Sequence, residues 1–274
     1  MTVQTGARAQ TSTTPSGTGV DPAPATGDPE GSATTDVRDG TTRAVPVRAL
    51  LDATGTRVAV AAYGVLALVH LAAQLADAPG LSRATQVLLM PTLAAAVWTA
   101  TRWTRGRQVR WLLAGLGLSW LGDSLPGVVG EDLAFLVMVG FFLLAQVAYV
   151  VAFVPDVRRS VVHRRPVLLL PYALVLAALM AACAPGAGDL LVPVAVYGGV
   201  LTAAAVLATG LGRVGAVGGV LFLVSDGLIA LNAFVPGWDL PRNGSWVMLT
   251  YVAAQALLAL AVVVRNRAAR APRP

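Results

Sequence analysis

The chain has 274 residues, of which 56% are hydrophobic and only 12% are charged, and its formal net charge is +6. An ordinary soluble domain carries about 25% charged residues, so this composition argues against a water-soluble globular enzyme. The single cysteine, Cys183, excludes an intrachain disulfide scaffold. The composition therefore indicates a membrane protein.

Residues 1–47 are rich in Thr, Ser, Gly, Pro, Ala and Asp and show no apolar periodicity. Such a segment cannot bury enough apolar surface to offset the entropy that it would lose on ordering. It also lacks the apolar run of a secretory signal peptide. We predict that residues 1–47 form a disordered cytoplasmic tail and that residues 48–274 form one membrane domain.

A helix that crosses a bilayer needs about 20 mostly apolar residues. The sequence contains eight such stretches, at about 57–76, 83–101, 109–128, 131–154, 166–184, 189–209, 213–235 and 244–264. The apolar runs are continuous rather than alternating, which argues against a β-barrel. The predicted fold class is therefore all-α: a polytopic membrane helical bundle with eight transmembrane helices.

The placement of arginine predicts the orientation of these helices, because all 20 basic residues are Arg. An eight-span chain has both termini on one side, and 15 Arg lie in or beside the connections on that side. Only Arg83 and Arg242 lie on the other side. Since cytoplasmic loops carry the excess of positive charge, we predict an integral protein of a bacterial plasma membrane with both termini in the cytoplasm. Arginines spread in this way contact lipid headgroups and do not indicate a nucleic-acid partner.

Two acidic residues, Asp123 and Asp226, lie inside apolar stretches, and no Arg lies within a stretch to neutralise them. An unpaired, ionised carboxyl at bilayer depth costs roughly 2.5–3.5 kcal/mol, so such residues are usually functional. At about 1.5 Å per residue, both carboxyls lie about 20 Å from the cytoplasmic start of their helices. If the two helices are neighbours, the carboxyls face one cavity at one level.

Two carboxyls in one apolar cavity should not both ionise, because desolvation and mutual repulsion favour one protonated group. One acid beside one base is the arrangement used for general acid–base hydrolysis. The structural alternative is a pair of protonated carboxyls that hydrogen-bond between helices.

Further polar side chains in the stretches describe a bundle interior that can form hydrogen bonds. We take six of them as candidate substrate-binding residues: Gln146, Tyr149, Ser225, Asn232, Tyr251 and Gln255. Taken singly, each is better explained by a hydrogen bond between helices. His70 is interpreted as structural, and Cys183, His70 and His163 do not form a metal-ligand cluster, so no metal is predicted.

Several of these residues fall in short motifs that occur in a fixed order. The motifs are Leu88-Leu89-Met90-Pro91, Leu121-Gly122-Asp123-Ser124-Leu125, residues 142–149 with Ala145-Gln146 and Tyr149, residues 221–230 with Ser225-Asp226, and Tyr251-Val252-Ala253-Ala254-Gln255. Their order and spacing over about residues 57–265 resemble the YhhN family of lysoplasmalogenases, which are eight-span membrane enzymes. Gln146 stands where that family usually has His.

The resemblance implies an ether-bond hydrolase that cleaves the vinyl ether bond of a lysoplasmalogen, a lysophospholipid, to a fatty aldehyde and a glycerophospho-base. It implies Asp123 and Asp226 as catalytic residues and no cofactor. Enol ethers hydrolyse through protonation at carbon and an oxocarbenium ion, a charge that a carboxylate stabilises in glycosidases. A proton-coupled transporter that uses the same Asp pair is the main alternative, and a non-catalytic membrane protein is a third.

Overall fold

The computed structural model describes residues 54–101 and 106–269, which form helices and short turns without a strand. Eight helices of at least 18 residues follow one another in this part of the chain. They are α1 (Thr54–Leu75), α2 (Pro79–Ala100), α3 (Arg107–Ser124), α4 (Glu131–Phe153), α5 (Leu169–Ala187), α6 (Leu191–Ala208), α7 (Arg213–Phe234) and α8 (Asn243–Ala268). The tail predicted at residues 1–47 lies outside the described residues.

The connections between the long helices are short. They contain 3-10 turns at Leu125–Gly127, Val154–Arg159, Pro166–Leu168, Gly188–Leu190 and Thr209–Leu211, and a four-residue helix at Val161–Arg164. Helix α3 ends at Ser124, four residues before the predicted end of its apolar stretch. The reason is local, because Pro126 lies in the 3-10 turn that follows and has no N–H to continue the helix.

Five segments of the described residues are long and apolar enough to cross a membrane: 54–75, 131–164, 166–211, 213–234 and 243–268. The third segment contains both α5 and α6. The segments do not include α2, which carries Arg83 and Gln86, or α3, which carries two Arg and Asp123. The fold is therefore an all-α membrane bundle, and the count of eight transmembrane helices stays a prediction.

Helices that are adjacent in sequence make the most extensive contacts, namely α1 with α2, α2 with α3, α3 with α4 and α7 with α8. Helix α8 packs against α1, α2 and α3 as well as α7, so it joins the first half of the bundle to the second. Helix α6 lies against α4, α5 and α7. The two Asp-bearing helices, α3 and α7, are thus connected through α8.

The core is built from close contacts between large and small residues. Tyr149 and Phe153 of α4 are completely buried, and a β-carbon added at Gly115 would overlap the ring of Tyr149. The absence of a side chain at Gly115 therefore lets α3 and α4 approach closely. Because lipid tails are as apolar as Leu, such packing and hydrogen bonds between helices hold a membrane bundle together. A smaller apolar cluster contains Cys183, which is fully buried, with Ala187 and Phe234.

Candidate active site

Asp123 lies in the last turn of α3 and is bound from two other helices. Its Oδ2 accepts a hydrogen bond of 2.8 Å from the Tyr251 hydroxyl of α8, and its Oδ1 accepts one of 3.2 Å from Gln86 Nε2 of α2. The side chain is buried, and only 6% of the residue's surface is exposed. Both carboxyl oxygens are therefore satisfied by donors, as the ionised form of a buried carboxyl requires.

A cation lies near this carboxyl, contrary to the expectation that no Arg lies within an apolar stretch. Arg83 is close enough to Asp123 to interact with it electrostatically, and its Nη2 donates a hydrogen bond of 3.0 Å to the Ser124 carbonyl. The expectation was wrong because α2 begins at Pro79, so Arg83 lies inside the helix and not before it. The guanidinium lies against Gly127, where a β-carbon would overlap it.

A second polar cluster lies one helical turn further into the bundle. The Tyr149 hydroxyl donates to Gln255 Oε1 at 2.7 Å, Gln255 Nε2 donates to Ser119 Oγ at 3.1 Å, and the Ser119 and Tyr149 oxygens are 3.4 Å apart. All three side chains are buried. Ser119 lies one turn before Asp123 on α3, and Gln255 lies one turn after Tyr251 on α8. This triangle therefore packs directly against the Asp123 cluster, on its side toward the Arg-rich end.

Asp226 lies in a different environment, on α7. Its Oδ2 accepts a short hydrogen bond of 2.5 Å from the Tyr197 hydroxyl of α6. Among the described residues, this hydroxyl is its hydrogen-bond partner. Asp226 and Tyr197 are among the residues that line a pocket with an empty volume of about 600 Å³, including the part open at its mouth. The other lining residues are apolar: Phe135, Leu136, Met138, Val139, Phe142, Leu190, Pro193, Val194, Ile229, Ala230 and Phe234.

Three aromatic rings lie between the two carboxyl sites. Tyr251, whose hydroxyl binds Asp123, packs edge-on against Phe142 and Phe222, with ring centroids 5.6 and 5.7 Å apart. Phe142 also lines the pocket of Asp226. The two carboxyls are close enough to interact electrostatically. Asp123 is not among the residues that line the pocket, so a single cavity shared by both carboxyls stays a prediction.

The remaining candidate residues differ in their surroundings. Ser225 is buried, and its hydroxyl donates to the Val247 carbonyl of α8, which ties α7 to α8. Gln146 is buried beside Tyr149 and Phe222, and its Nε2 has no hydrogen-bond partner among the described residues. Asn232 is exposed on α7. Tyr251 thus binds Asp123, Tyr149 and Gln255 belong to the Ser119 triangle beside it, and Asn232 joins neither cluster.

His70 lies at the contact between α1 and α2 and does not bind either of the two carboxyls. His70 Nδ1 lies 3.0 Å from the Ser82 carbonyl and 3.0 Å from Thr85 Oγ1, which fits its interpretation as a structural contact between α1 and α2. The sequence analysis missed Gln86 and Tyr197, although each is a polar side chain in an apolar stretch. Within the described residues, no group of three His, Cys, Asp or Glu side chains is placed to hold a metal ion.

A third polar cluster lies at the Arg-rich end of the bundle. Asp156 is buried, accepts a hydrogen bond of 2.7 Å from Arg265 Nε, and accepts another of 2.9 Å from Gln108 Nε2. Buried apolar side chains lie between this cluster and the Ser119 triangle: Val109, Leu112, Leu116, Phe153, Leu258 and Val262. The polar groups around Asp123 are thus separated from the Arg-rich end by a layer of buried apolar side chains.

Comparison with known proteins gives a family match over the part of the chain that holds both carboxyls. The YhhN family model matches residues 81–262. Proteins named lysoplasmalogenase from Mycobacterium bovis and Mycobacterium tuberculosis are each 31% identical to this chain over 170 residues. The aligned part covers 56% of this chain and 60% of each relative, so the chain spans less than two thirds of the relatives' length. No solved structure matches the chain.

Proposed function

The chain belongs to the YhhN family, and we propose that it is a membrane hydrolase that cleaves the vinyl ether bond of lysoplasmalogens. The products are a fatty aldehyde and a glycerophospho-base. The observation that carries the proposal is the carboxyl of Asp226, which lies with its Tyr197 partner on the wall of an otherwise apolar pocket. The two mycobacterial relatives named lysoplasmalogenase support the same reaction.

The pocket is suited to the alkenyl chain of such a substrate. Its walls are apolar apart from Asp226 and Tyr197, and ligand sites are typically apolar with a few polar groups that fix orientation. An apolar wall disfavours the ionised form of a carboxyl, so Asp226 is the proposed acid. It donates its proton to the β-carbon of the double bond, and positive charge develops on the carbon that is bonded to oxygen.

Asp123 is the proposed carboxylate. Two donors, Gln86 Nε2 and the Tyr251 hydroxyl, favour its ionised form. As a carboxylate it stabilises the oxocarbenium ion and takes a proton from the water that adds to it. As the carbonyl forms, the hemiacetal hydroxyl loses its proton, the bond to the glycerol oxygen breaks, and that oxygen takes up the proton. One water is consumed, and return of the proton gained by Asp123 to Asp226 restores the starting state.

The proposed setting is a bundle of eight transmembrane helices with both termini in the cytoplasm. Arg107, Arg110, Arg265 and Arg267 lie at one end of the described helices, and Glu131 and Asp132 lie at the other. This asymmetry supports an orientation in which the Asp156 end faces the cytoplasm. In that orientation the carboxyls lie nearer to the outer face.

The apolar layer supports a hydrolase over a proton-coupled transporter. A proton path needs polar groups or water from one face to the other, whereas six buried apolar residues lie between the Ser119 triangle and Asp156. A hydrolase works with this arrangement of helices, whereas transport would require a second arrangement that opens the layer.

The test is to incubate purified full-length protein in vesicles with a vinyl ether lysophospholipid and to follow aldehyde by mass spectrometry. We expect release of one aldehyde per molecule of lipid consumed, and no release from the ester-linked lysophospholipid. Proton flux is measured in the same vesicles. Aspartate-dependent proton flux without aldehyde would replace the hydrolase with the transporter.

A further inference from the structure

A second depression, the polar cup, lies at the end of the bundle that is opposite the Arg-rich end. Five residues give it its chemistry: Gln74 and Asp77 at the end of α1, Ser82 of α2, and Arg242 and Ser245 at the start of α8. Its empty volume is about 790 Å³, including the part open to solvent. The proposed reaction does not use any of these residues.

The cup holds one positive and one negative side chain that do not pair with each other. Arg242 and Asp77 both line it, but their charged atoms are more than 4 Å apart. Among the described residues, the ion pair within that distance joins Arg265 and Asp156. Opposite charges on an exposed surface gain little by pairing, and here they are held apart on two different loops. A cup with separated charges is complementary to a ligand that is itself a zwitterion.

The backbone fixes the positions of these two charges. Arg242 has a left-handed conformation with φ of 57°, and its Nη1 donates a hydrogen bond of 2.8 Å to the Leu75 carbonyl at the end of α1. Asp77 also has a left-handed conformation, with φ of 52°. That region is uncommon for residues other than Gly, so both loops are held in shape by their surroundings. One N–H of Arg242 is used in this way, and the rest of the guanidinium remains for an anion.

The cup also contains a buried acceptor. Gln74 lines it, and Gln74 Oε1 is buried without a hydrogen-bond partner among the described residues. A buried acceptor without a partner costs free energy, so its presence calls for a donor that the protein itself does not supply. An ammonium group has several N–H donors, and it would satisfy the carboxylate of Asp77 directly and Gln74 Oε1 once that amide turns toward the cup.

The cup lies above the Asp123 cluster on the same two helices. Ser82 is one turn before Gln86 on α2, and Ser245 is six residues before Tyr251 on α8, which is a rise of roughly 6–9 Å at 1.5 Å per residue. Gln86 and Tyr251 are the two donors to Asp123. A lysolipid whose vinyl ether lies beside Asp123 would therefore have the other end of its glycerol unit at the level of the cup.

We propose that the polar cup binds the headgroup of the lysolipid substrate and selects a phosphoethanolamine group, with Arg242 on the phosphate and Asp77 and Gln74 on the primary ammonium. This inference rests on the proposed function for the rest of the lipid. Quaternary ammonium groups are recognised by aromatic cages, and the residues that line the cup include no aromatic side chain. A trimethylated headgroup therefore binds more weakly.

The experiment measures binding, so it does not depend on hydrolysis. Full-length protein in detergent micelles is titrated with lysophosphatidylethanolamine, lysophosphatidylcholine and monoacylglycerol of one acyl chain, and binding is followed by native mass spectrometry. We expect the ethanolamine lipid to bind about tenfold more tightly than the choline lipid, and the choline lipid more tightly than monoacylglycerol. Glycerophosphoethanolamine, which has no chain, should compete at higher concentration and shows whether the headgroup alone is recognised.

Variants test the contributions of the two charged residues separately. Asp77→Asn, which suits the left-handed conformation, should lower ethanolamine-lipid affinity to the choline-lipid level. Arg242→Gln should lower both to the monoacylglycerol level, while Arg242→Lys keeps part of the preference for phosphate. The controls are Asp189→Asn and Arg213→Gln, which are exposed and outside the cup.

Equal affinity of the unmodified protein for lysophosphatidylethanolamine and monoacylglycerol would overturn the inference without any variant. An equal loss in the control variants would also overturn it. Headgroup-selective binding by a protein that releases no aldehyde would leave the cup assignment in place and reject the hydrolase. Aldehyde release without headgroup selectivity would support the hydrolase and reject the cup as the headgroup site.

Discussion

Asp123 and Asp226 are both buried aspartates in an apolar bundle, yet their surroundings differ. Asp123 has donors on both oxygens, a cation nearby and a second polar cluster below it. Asp226 has one hydroxyl partner and otherwise faces an apolar pocket. Asp123 is therefore part of a polar network, whereas Asp226 lies with a single polar partner against apolar side chains.

We propose that this difference gives the two identical residues separate tasks. Donors directed at both oxygens stabilise a charge, whereas a single donor and an apolar surface keep a proton on the group. Acid and base roles in other enzymes follow the same division between dry and polar surroundings. The predictions below test whether the two aspartates differ in function as they differ in structure.

The largest effect is expected from Asp123→Asn and Asp226→Asn. Each change keeps the size of the side chain and removes both the negative charge and the transferable proton. Aldehyde release from a vinyl ether lysolipid should fall by roughly 10²-fold or more, the scale for loss of a general acid or base. Because the two groups act as a unit, the double variant should be barely slower than either single variant.

Folding of both Asn variants should persist, since a neutral amide removes a desolvation cost. Size-exclusion profiles and thermal unfolding check this point. Unchanged aldehyde release from either well-folded variant would remove that aspartate from the mechanism.

Next in size is the contrast between Tyr197→Phe and Tyr251→Phe, which remove one hydroxyl and keep the ring. Asp226 loses its hydrogen-bond partner in the first variant, whereas Asp123 keeps Gln86 in the second. Tyr197 stabilises the carboxylate that Asp226 becomes as it gives up its proton, and hydrogen bonds to charged groups contribute roughly 1.5–3 kcal/mol, so we expect at least about a tenfold loss of kcat for Tyr197→Phe. A smaller loss is expected for Tyr251→Phe.

Tyr172→Phe is the matched control, because Tyr172 lies in α5 away from both carboxyls. Equal losses for the Tyr197 and Tyr251 variants would mean that the two aspartates do not differ as proposed.

A smaller, chain-length-dependent effect is expected from Ala230→Leu. Ala230 lines the pocket, so a larger side chain there shortens the space for an alkenyl chain. We expect the kcat/KM ratio of long-chain to short-chain substrate to fall by roughly tenfold. Ala233→Leu, exposed on the same helix, should leave that ratio unchanged. An equal fall in kcat/KM for both substrates would mean that the alkenyl chain does not bind in this pocket.

The smallest effect on activity is expected at the Arg-rich end, from Asp156→Asn. This change weakens the contacts to Arg265 and Gln108, and the Arg265 side chain is 26% exposed, so the cost is below that of a fully buried pair. We expect a loss of about 1–2 kcal/mol in the free energy of unfolding. The unfolding temperature should fall by a few degrees, with the rate per folded molecule unchanged. A loss of rate at full stability would connect this end to the reaction.

The sequence predicted the helices well because each requires a long apolar run. Observed and predicted bounds of α4 differ by one residue at the end, and those of α7 likewise. The two aspartates could be singled out because a carboxyl in an apolar stretch is costly. Two of their partners could not, since Gln86 and Tyr197 become donors only through the packing of α2 on α3 and of α6 on α7.

The polar candidates show the same limit. Tyr251 and Gln255 are one turn apart in sequence, and the structure gives them different partners, Asp123 and the Ser119 triangle. Asn232 follows the same sequence pattern as these residues, yet it lies on an exposed face. Which face of an apolar helix turns inward depends on its neighbours, and the continuous apolar runs of this chain do not specify that rotation.

The burial of Cys183 makes the molecule convenient for chemical labelling. It is the one cysteine of the 274 residues and is fully buried among apolar side chains, so a membrane-impermeant maleimide should not reach it in the folded protein. Any reactive thiol must then come from a cysteine introduced by mutagenesis. Cysteines placed at Gly130 and Gly106, at opposite ends of α3 and α4, would report which end of the bundle faces outward without first removing a native thiol.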